Sequence, residues 1–389
     1  MIAILRQLPE PAKPDRSIQA SFRLADQSGK IGGSRPADHS NRLMPSAHCP
    51  PVMLPGLPHD CENWSMKSLK FRLLITIVGA LAATGGARAQ AKFPPDSDNA
   101  ALRYWTALTE IRNSIEDETT QNLLSAAIKG EIPWDENKLG PILDANADAV
   151  QAMHRGAKLP ECNWGLDYRL GVSTPGQMPM RARGLERLNT VEGIRELAKG
   201  NGEAAVNTWL SGIRFSQDVG RGGPVILALV GSAILQETLQ AITAQAKHGK
   251  LQPAQKKALY DAIKHLPDDG FDWGISWGVE YAIGNQSLEG LRKASDPRAV
   301  FKQWGMPAPE GLPPTQQDVD RYGEYMLAAQ SALREHPDNA TPLLNNLESR
   351  ERSLREVVRL LIPSLSGCNR ARIRVHSDRD ELLQALASN

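Results

Sequence analysis

From about residue 98 onward, apolar side chains recur at steps of three and four, the period of a single helix face. Ala101, Trp105, Leu108, Ile111 and Ile115 mark a first helix from about Asp98 to Ile115. Asp96 and Asp98 suit its N-terminus, where carboxylates accept orphan backbone N–H groups; a calcium loop would need a Gly that is absent. Leu123, Leu124, Ala127 and Ile128 mark a second helix, stopped at "KGEIPWD". Asp135 is placed to cap a third, which carries Leu139, Leu143, Val150 and Met153 over residues 136–155. Pro141 either bends that helix or marks its first turn. The helical period resumes near Met180, runs to about Lys199, and restarts at Glu203 with Val206, Leu210 and Ile213. "GGPVILALVGSAILQETLQAI" then sets Pro224 at a first turn. Its apolar run from Val225 to Leu235 is too short for a membrane span and too apolar for a surface, which predicts a central buried helix with Leu229 in the middle of the run.

Further helices are expected over 253–265, from "DDGFDWGISWGVEYAI", from Thr315 to about Glu335, and from Pro342 through Leu343, Leu347, Leu354 and Leu361. "ARIRVH" alternates like a short strand, and Ser377 with Asp380 resembles a capping box before a last helix. Two stretches, 156–180 and 304–315, are rich in Gly and Pro, hold no period, and read as irregular loops; long loops in compact domains often carry function.

Three joints share one turn: "KGEIPWD", "KGNGEAA" and "HGKLQPA". Each sets Lys or His near a helix end, then Gly, then a capped restart, as expected where a helix C-terminus favours a cation and a left-handed Gly. "GNGEAAVNTWLSGIRFS" also resembles the second helix of a tetratricopeptide repeat, with Ala205, Trp209 and Gly212 on the packing face. The spacing from Gly130 to Gly202 to Gly249 is irregular. The fold class expected is therefore all-α, either an irregular helical-hairpin array resembling an α-solenoid or a compact helical domain.

Upstream, "MKSLKFRLLITIVGALAATGGARAQA" has the three parts of a secretory signal. Lys67, Lys70 and Arg72 supply the charge, Leu73 to Ala83 the apolar run, and Ala87-Arg88-Ala89 the small residues, with Ala89-Gln90-Ala91 as a second register. Residues 66–89 thus read as a signal peptide cut near Ala89 or Ala91, giving a periplasmic or secreted protein that meets the membrane only if the signal stays uncleaved. Residues 1–65 hold nine of the 27 prolines and no period, so they read as a disordered leader upstream of a true start at Met66. The remainder, 92–389, is expected to be a single all-α domain.

Without leader and signal, 34 basic and 38 acidic residues remain, and no basic stripe points to nucleic acid. Cys162 and Cys368 are the cysteines left in an oxidising compartment. A bridge between them would close a very long loop, worth about 5 kcal/mol in the chain-entropy estimate; the alternative is two separate buried thiols. No Cys/His cluster points to zinc, and no metal or cofactor is expected.

The run "NAALRYWTAL…WDENKLGPIL…CNWGLDYRLG…GGPVILALVG…DGFDWG" resembles a family of exported bacterial helical proteins of uncharacterised function, over most of residues 98–365. The resemblance implies an all-α exported fold and supplies no catalytic residues. No metalloprotease, nucleophile-elbow, Walker or dinucleotide motif is found either. Tyr260 and Lys264 read as a surface helix pair, and His154 and His248 as cations near helix ends. The candidate binding residues are Trp164, Asp167 and Tyr168 in "CNWGLDY", with Trp134 beside Asp135, and Asp272 and Trp273 near Trp277 and Glu280. Trp platforms with paired carboxylates suit a glycan groove; the plainer reading is that the Trp residues pack helices and the Asp residues cap them. Two functions remain open: binding of a protein or peptide partner in the cell envelope, or hydrolysis of an envelope or extracellular polymer.

Overall fold

A computed structural model describes residues 98–388 apart from 113–114, 116 and 174–177. The expected leader, residues 1–65, and the expected signal peptide, residues 66–89, lie outside the described residues. Those described are all-α, as the periodicity predicts: fourteen α-helices, one 3-10 segment, and no strand beyond an isolated bridge between Asn99 and Glu161. The helices are α1 (Ala100–Glu110), α2 (Glu118–Ile128), α3 (Glu136–Ala145), α4 (Ala147–Ala157), α5 (Met178–Ala198), α6 (Gly202–Arg221) and α7 (Val225–Lys247). They continue as α8 (Pro253–Lys264), α9 (Trp273–Lys293), α10 (Pro297–Gln303), α11 (Gln316–Ala332), α12 (Pro337–Glu351), α13 (Glu356–Arg359) and α14 (Leu365–Ala387). The 3-10 segment, Tyr168–Ser173, lies in the first irregular loop.

Local chemistry sets the ends. At each of the three joints the Gly is left-handed, with φ of 70° at Gly130, 85° at Gly200 and 66° at Gly249. Each closes the same pair of bonds on the helix it ends. After α2, for instance, Gly130 N donates to Ala127 O and Glu131 N to Ala126 O, at 3.1 and 2.9 Å. Starts are capped by side-chain oxygens: Asp135 accepts from Asn137 N, Asp272 from Gly274 N, and Thr315 forms a capping box with Asp318.

Helix α7 organises the rest. It touches α2, α5, α6, α9 and α14, so helices surround it instead of following one another in a row. Leu227, Val230, Ile234, Leu235, Leu239 and Ile242 belong to a first core shared with α1–α6, α8 and the end of α14. Val225 and Ala228 belong to a second, shared with α9–α13 and the start of α14. Among the described residues α7 alone is long and apolar enough to cross a membrane, but most of it is buried inside the protein.

Several sequence expectations need correction. The 136–155 helix breaks at Asn146, which is buried; its side chain accepts from Arg112 N at 2.8 Å and donates to Ile142 O at 2.9 Å, tying the break to the end of α1. Pro141 lies inside α3, before the break. The segment from Pro342 is two helices, α12 and α13; α12 begins at Pro337, and Leu344 and Leu347 are buried while Leu343 is exposed. "ARIRVH" is neither a strand nor the prelude to a cap at Ser377, because α14 runs unbroken from a cap at Ser364. Its inward positions are Cys368, Arg372, Val375, Arg379, Leu382 and Leu386, a three-four repeat with two arginines inside it. Arg372 pairs with Asp269 at 2.5 Å, and Arg379 donates to Ile263 O and Lys264 O at 3.3 Å, binding the end of α8. Leu229 is half-buried, whereas Ala228 and Val230 on either side are buried.

Ile234→Asp, at a position with no exposure, is expected to lower unfolding stability by about 4 kcal/mol or to prevent folding, because its carboxylate would be buried without a partner. Leu229→Asp should cost distinctly less. Urea unfolding of the two variants checks the order, and equal costs would place the wrong face of α7 inward.

Candidate functional site

The loop after α4 is fastened at both ends. Asn99 caps α1 by accepting from Ala101 N and also holds Asn163 from both sides, accepting from Asn163 N and donating to Asn163 O, each at 2.8 Å. Ala100 N donates to Glu161 O at 2.7 Å. Trp164 is buried and donates its indole N–H to Asp218 O at 2.9 Å. It fits because the neighbouring residue is Gly222, where any Cβ would overlap the indole ring. Tyr168, half-buried, donates its hydroxyl to Gly222 O at 2.9 Å. The loop is thus pinned to the C-terminal end of α6, where free carbonyls need donors.

Beneath it lies Asp218, buried within α6. It accepts from the Tyr104 hydroxyl at 2.9 Å and from Arg214 Nε at 3.0 Å, with Arg221 Nη2 at 3.4 Å. Burial pushes its carboxyl up, against the pull of Arg214 and of the Tyr104 hydroxyl. The same burial, with Asp218 next, pushes the Tyr104 phenol far above its usual range, so it stays a donor. Arg214 reaches on to Pro160 O at 3.0 Å and holds the loop's first turn. Tyr104 stacks on Trp164, and Trp105 meets Trp164 edge-on, both with centroids 5.6 Å apart. The inward tyrosine is a correction: Trp105 was expected on the buried face of α1, but Tyr104 is fully buried and Trp105 is 38% exposed.

The six candidate residues do not form one site. Trp164 and Tyr168 anchor the loop. Asp167 is half-buried and pairs with the exposed Arg169, Nε and Nη2 each 2.9 Å from a carboxylate oxygen, which holds its carboxyl below the usual range. Trp134 packs half-buried on the first core beside Asp135, the α3 cap. Trp273 is buried in the second core, stacked on Phe271 at 5.2 Å, and Asp272 caps α9. Nearby Trp277 donates to Met326 O at 2.9 Å, and Glu280 is buried beneath the start of α7. These Asp–Trp pairs cap and pack.

Cys162 and Cys368 are both free thiols, so the bridge left open by the sequence is not made. Cys162 packs against the first core and Cys368 lies inside the second. Burial pushes the Cys162 thiol up to about 12 and raises Cys368 as well, so neither offers a nucleophilic thiolate. His154 does lie in the last turn of α4, as expected, but burial lowers its pKa and so disfavours the cation, and its Nε2 lies 2.7 Å from Asn189 Oδ1. Lys264 Nζ lies 5.9 Å from the Tyr260 ring centre, as a surface pair would. Among the described residues, no group of three His, Cys, Asp or Glu side chains is placed to hold a metal ion. An open groove of about 320 Å³ between the ends of α2 and α7 and the face of α14 is lined by Lys129, Gln240, Lys247, His248, Asp378 and Glu381. Its polar groups largely pair with one another, Lys247 with Glu381 at 2.6 Å and Gln240 with Asp378 at 3.2 Å.

Three large apolar side chains stay exposed on α1 and in this loop, beside polar loop residues such as Glu161, Asn163 and Arg169. Leu102 and Trp105, three residues apart on one face of α1, are 55% and 38% exposed, and Leu170 in the same loop as Trp164 is 52% exposed. Sequence reasoning missed this surface because it assigned Trp105 to the core. The Ala100, Tyr104, Ala107 and Ile111 series, at four- and three-residue steps, was the available signal. Compared with protein-family models, with curated proteins and with solved structures, the chain has no match.

Tyr168→Phe should lower stability by about 1–2 kcal/mol, because Gly222 O loses its donor. Asp167→Asn should leave the melting temperature unchanged, since its ion pair is exposed. Thermal melts of both check this, and an unchanged Tyr168→Phe would show that the hydroxyl does not anchor the loop.

Proposed function

We propose that this is an exported helical protein that binds a protein or peptide partner in the cell envelope, through the face formed by α1 and the loop after α4. The observation that carries the reading is Trp105, an exposed indole held edge-on against the buried Trp164. A rigid aromatic at a surface loses little freedom on binding, and Trp is enriched among residues that dominate interface energetics. Leu102 and Leu170 are further exposed apolar side chains, one on each of these elements. Export is supported by the charged, apolar and small-residue pattern of residues 66–91.

Hydrolysis of an envelope polymer is the less supported alternative. It asks for two carboxyl groups facing one groove, whereas Asp135 and Asp272 cap helices and Asp167 pairs with Arg169.

The test is recovery of the tagged protein from its own envelope fraction, with intact mass and co-purifying proteins read together. The expected species begins at Gln90 or Lys92 and brings down a reproducible partner. Trp105→Ala with Leu102→Ala should weaken that capture at least tenfold, about 1.4 kcal/mol, in a variant that still folds although its melting temperature falls with the lost Trp105–Trp164 contact. A mass that retains residues 1–65 contradicts export by this signal, and undiminished capture by the double variant contradicts the surface.

A further inference from the structure

The most concentrated buried chemistry lies away from that surface, where α5 packs between α6 and α7. Glu186 on α5 is wholly buried. Its Oε1 takes every bond the carboxyl makes: Thr238 Oγ1 at 2.8 Å, Thr190 Oγ1 at 2.9 Å and Asn189 Nδ2 at 3.2 Å. Its Oε2 is buried with no hydrogen-bond partner among the described residues. The carboxyl lies against Gly212 of α6, where any Cβ would overlap Oε1. A fully ionised carboxylate with one bare oxygen in such a place is costly.

The surrounding hydroxyls suit a protonated carboxyl as well as a charged one. Thr238 Oγ1 also lies 3.2 Å from Ile234 O and 3.3 Å from Thr190 Oγ1. With Glu186 ionised, both threonines donate to Oε1. With a proton on Oε1, the Thr238 hydroxyl turns to donate to Ile234 O and accepts from the carboxyl instead. Asn189 Nδ2 keeps a second acceptor, Thr208 O, at 3.1 Å. No heavy atom has to move between the two states.

We propose that Glu186 is a proton switch built into the α5–α6–α7 packing: the fold forms with the carboxyl protonated and loosens as a rising pH removes the proton.

The charges around it agree. From α7 the nearest is Glu237, which disfavours a second negative charge but is itself paired with Arg183 and Arg187 of α5, at 2.6 and 2.7 Å. From α4 comes His154, joined through Asn189, and α6 presents the uncharged Gly212 and Thr208. No cation bonds Glu186 directly. Burial, the largest influence, lifts its carboxyl from 4.5 to about 7. The native state therefore holds more protons than the unfolded one between these values. The contribution is fully present below 4.5 and is lost as pH rises through 7. Glu280, also lifted to about 7, and Asp378, lifted to about 6, act in the same direction. His154 acts oppositely: burial depresses it, so its share is lost as pH falls below 6.5.

The experiment follows the side-chain carboxyl carbons of glutamate-labelled protein by NMR, with urea unfolding at pH 5 and pH 8, for the parent, Glu186→Gln, Glu280→Gln and Thr238→Val. Glu186 is expected to titrate near neutrality. Its share of the rise in the unfolding constant between pH 5 and pH 8 should be about two orders of magnitude, which Glu186→Gln removes and Glu280→Gln leaves in place. If Glu186→Gln does not fold, Thr238→Val decides: it keeps the carboxyl and takes a donor from the charged form, while the Thr190 hydroxyl, 2.9 Å away, remains to accept the proton of the neutral form, so the titration midpoint should move up. A Glu186 resonance titrating near the ordinary glutamate value, an unchanged pH dependence in Glu186→Gln, or an unmoved midpoint in Thr238→Val each overturns the proposal.

Discussion

The N-terminus of α7 is the joint on which the two cores depend. A helix start carries backbone N–H groups with no partner inside the helix, and this one is buried. Pro224, immediately before it, has no side-chain acceptor to offer. Glu280, from the middle of α9, supplies one: its Oε2 accepts from Val225 N at 3.0 Å. The backbone oxygen of Glu280 in turn accepts from the Tyr322 hydroxyl of α11 at 3.3 Å. Burial lifts the Glu280 carboxyl to about 7, while the Val225 N–H favours its charged form. The bond is strong for the same reason that its loss is costly: the site is dry. Because Val225 and Ala228 line the second core and the rest of α7 lines the first, a displaced α7 start would loosen both.

The polar groups inside the molecule serve a common purpose at different joints. Asp218 holds the loop after α4 through Tyr104 and Arg214, and Arg372 and Arg379 bind α14 to the turns around Asp269 and to the end of α8. Irregular helix joints leave carbonyls and N–H groups that regular ladders cannot satisfy, and these side chains meet that need. The consequence for function is that the candidate Trp and Asp residues are mostly structural, while Leu102, Trp105 and Leu170 are large apolar side chains left exposed on α1 and in the loop after α4.

Much of the fold was legible because its signals are local. Gly130, Gly200 and Gly249 announce helix ends by the backbone conformation they allow, and Asp135 and Asp272 announce starts. α14 was misread because Arg372 and Arg379 occupy inward positions and break the apolar stripe; only their partners, Asp269 and the α8 carbonyls more than a hundred residues earlier in the chain, explain them. Tyr104 and Trp105 are adjacent and both amphipathic, so the choice between them rested on which spacing was followed. The candidate site dissolved for a similar reason. Trp164 and Trp273 look alike in sequence, each near an Asp at an irregular segment, but they belong to different cores.

Native-state hydrogen exchange of the parent and Glu280→Ala tests the central role of the α7 start most directly, because it reads the stability of each helix separately. If α7 couples the cores through that bond, amides of α5 and α6 on one side and of α11 on the other lose protection together and by the same factor. Protection lost in α9 and α11 alone, with α5 and α6 unchanged, would contradict the account and make the two cores independent.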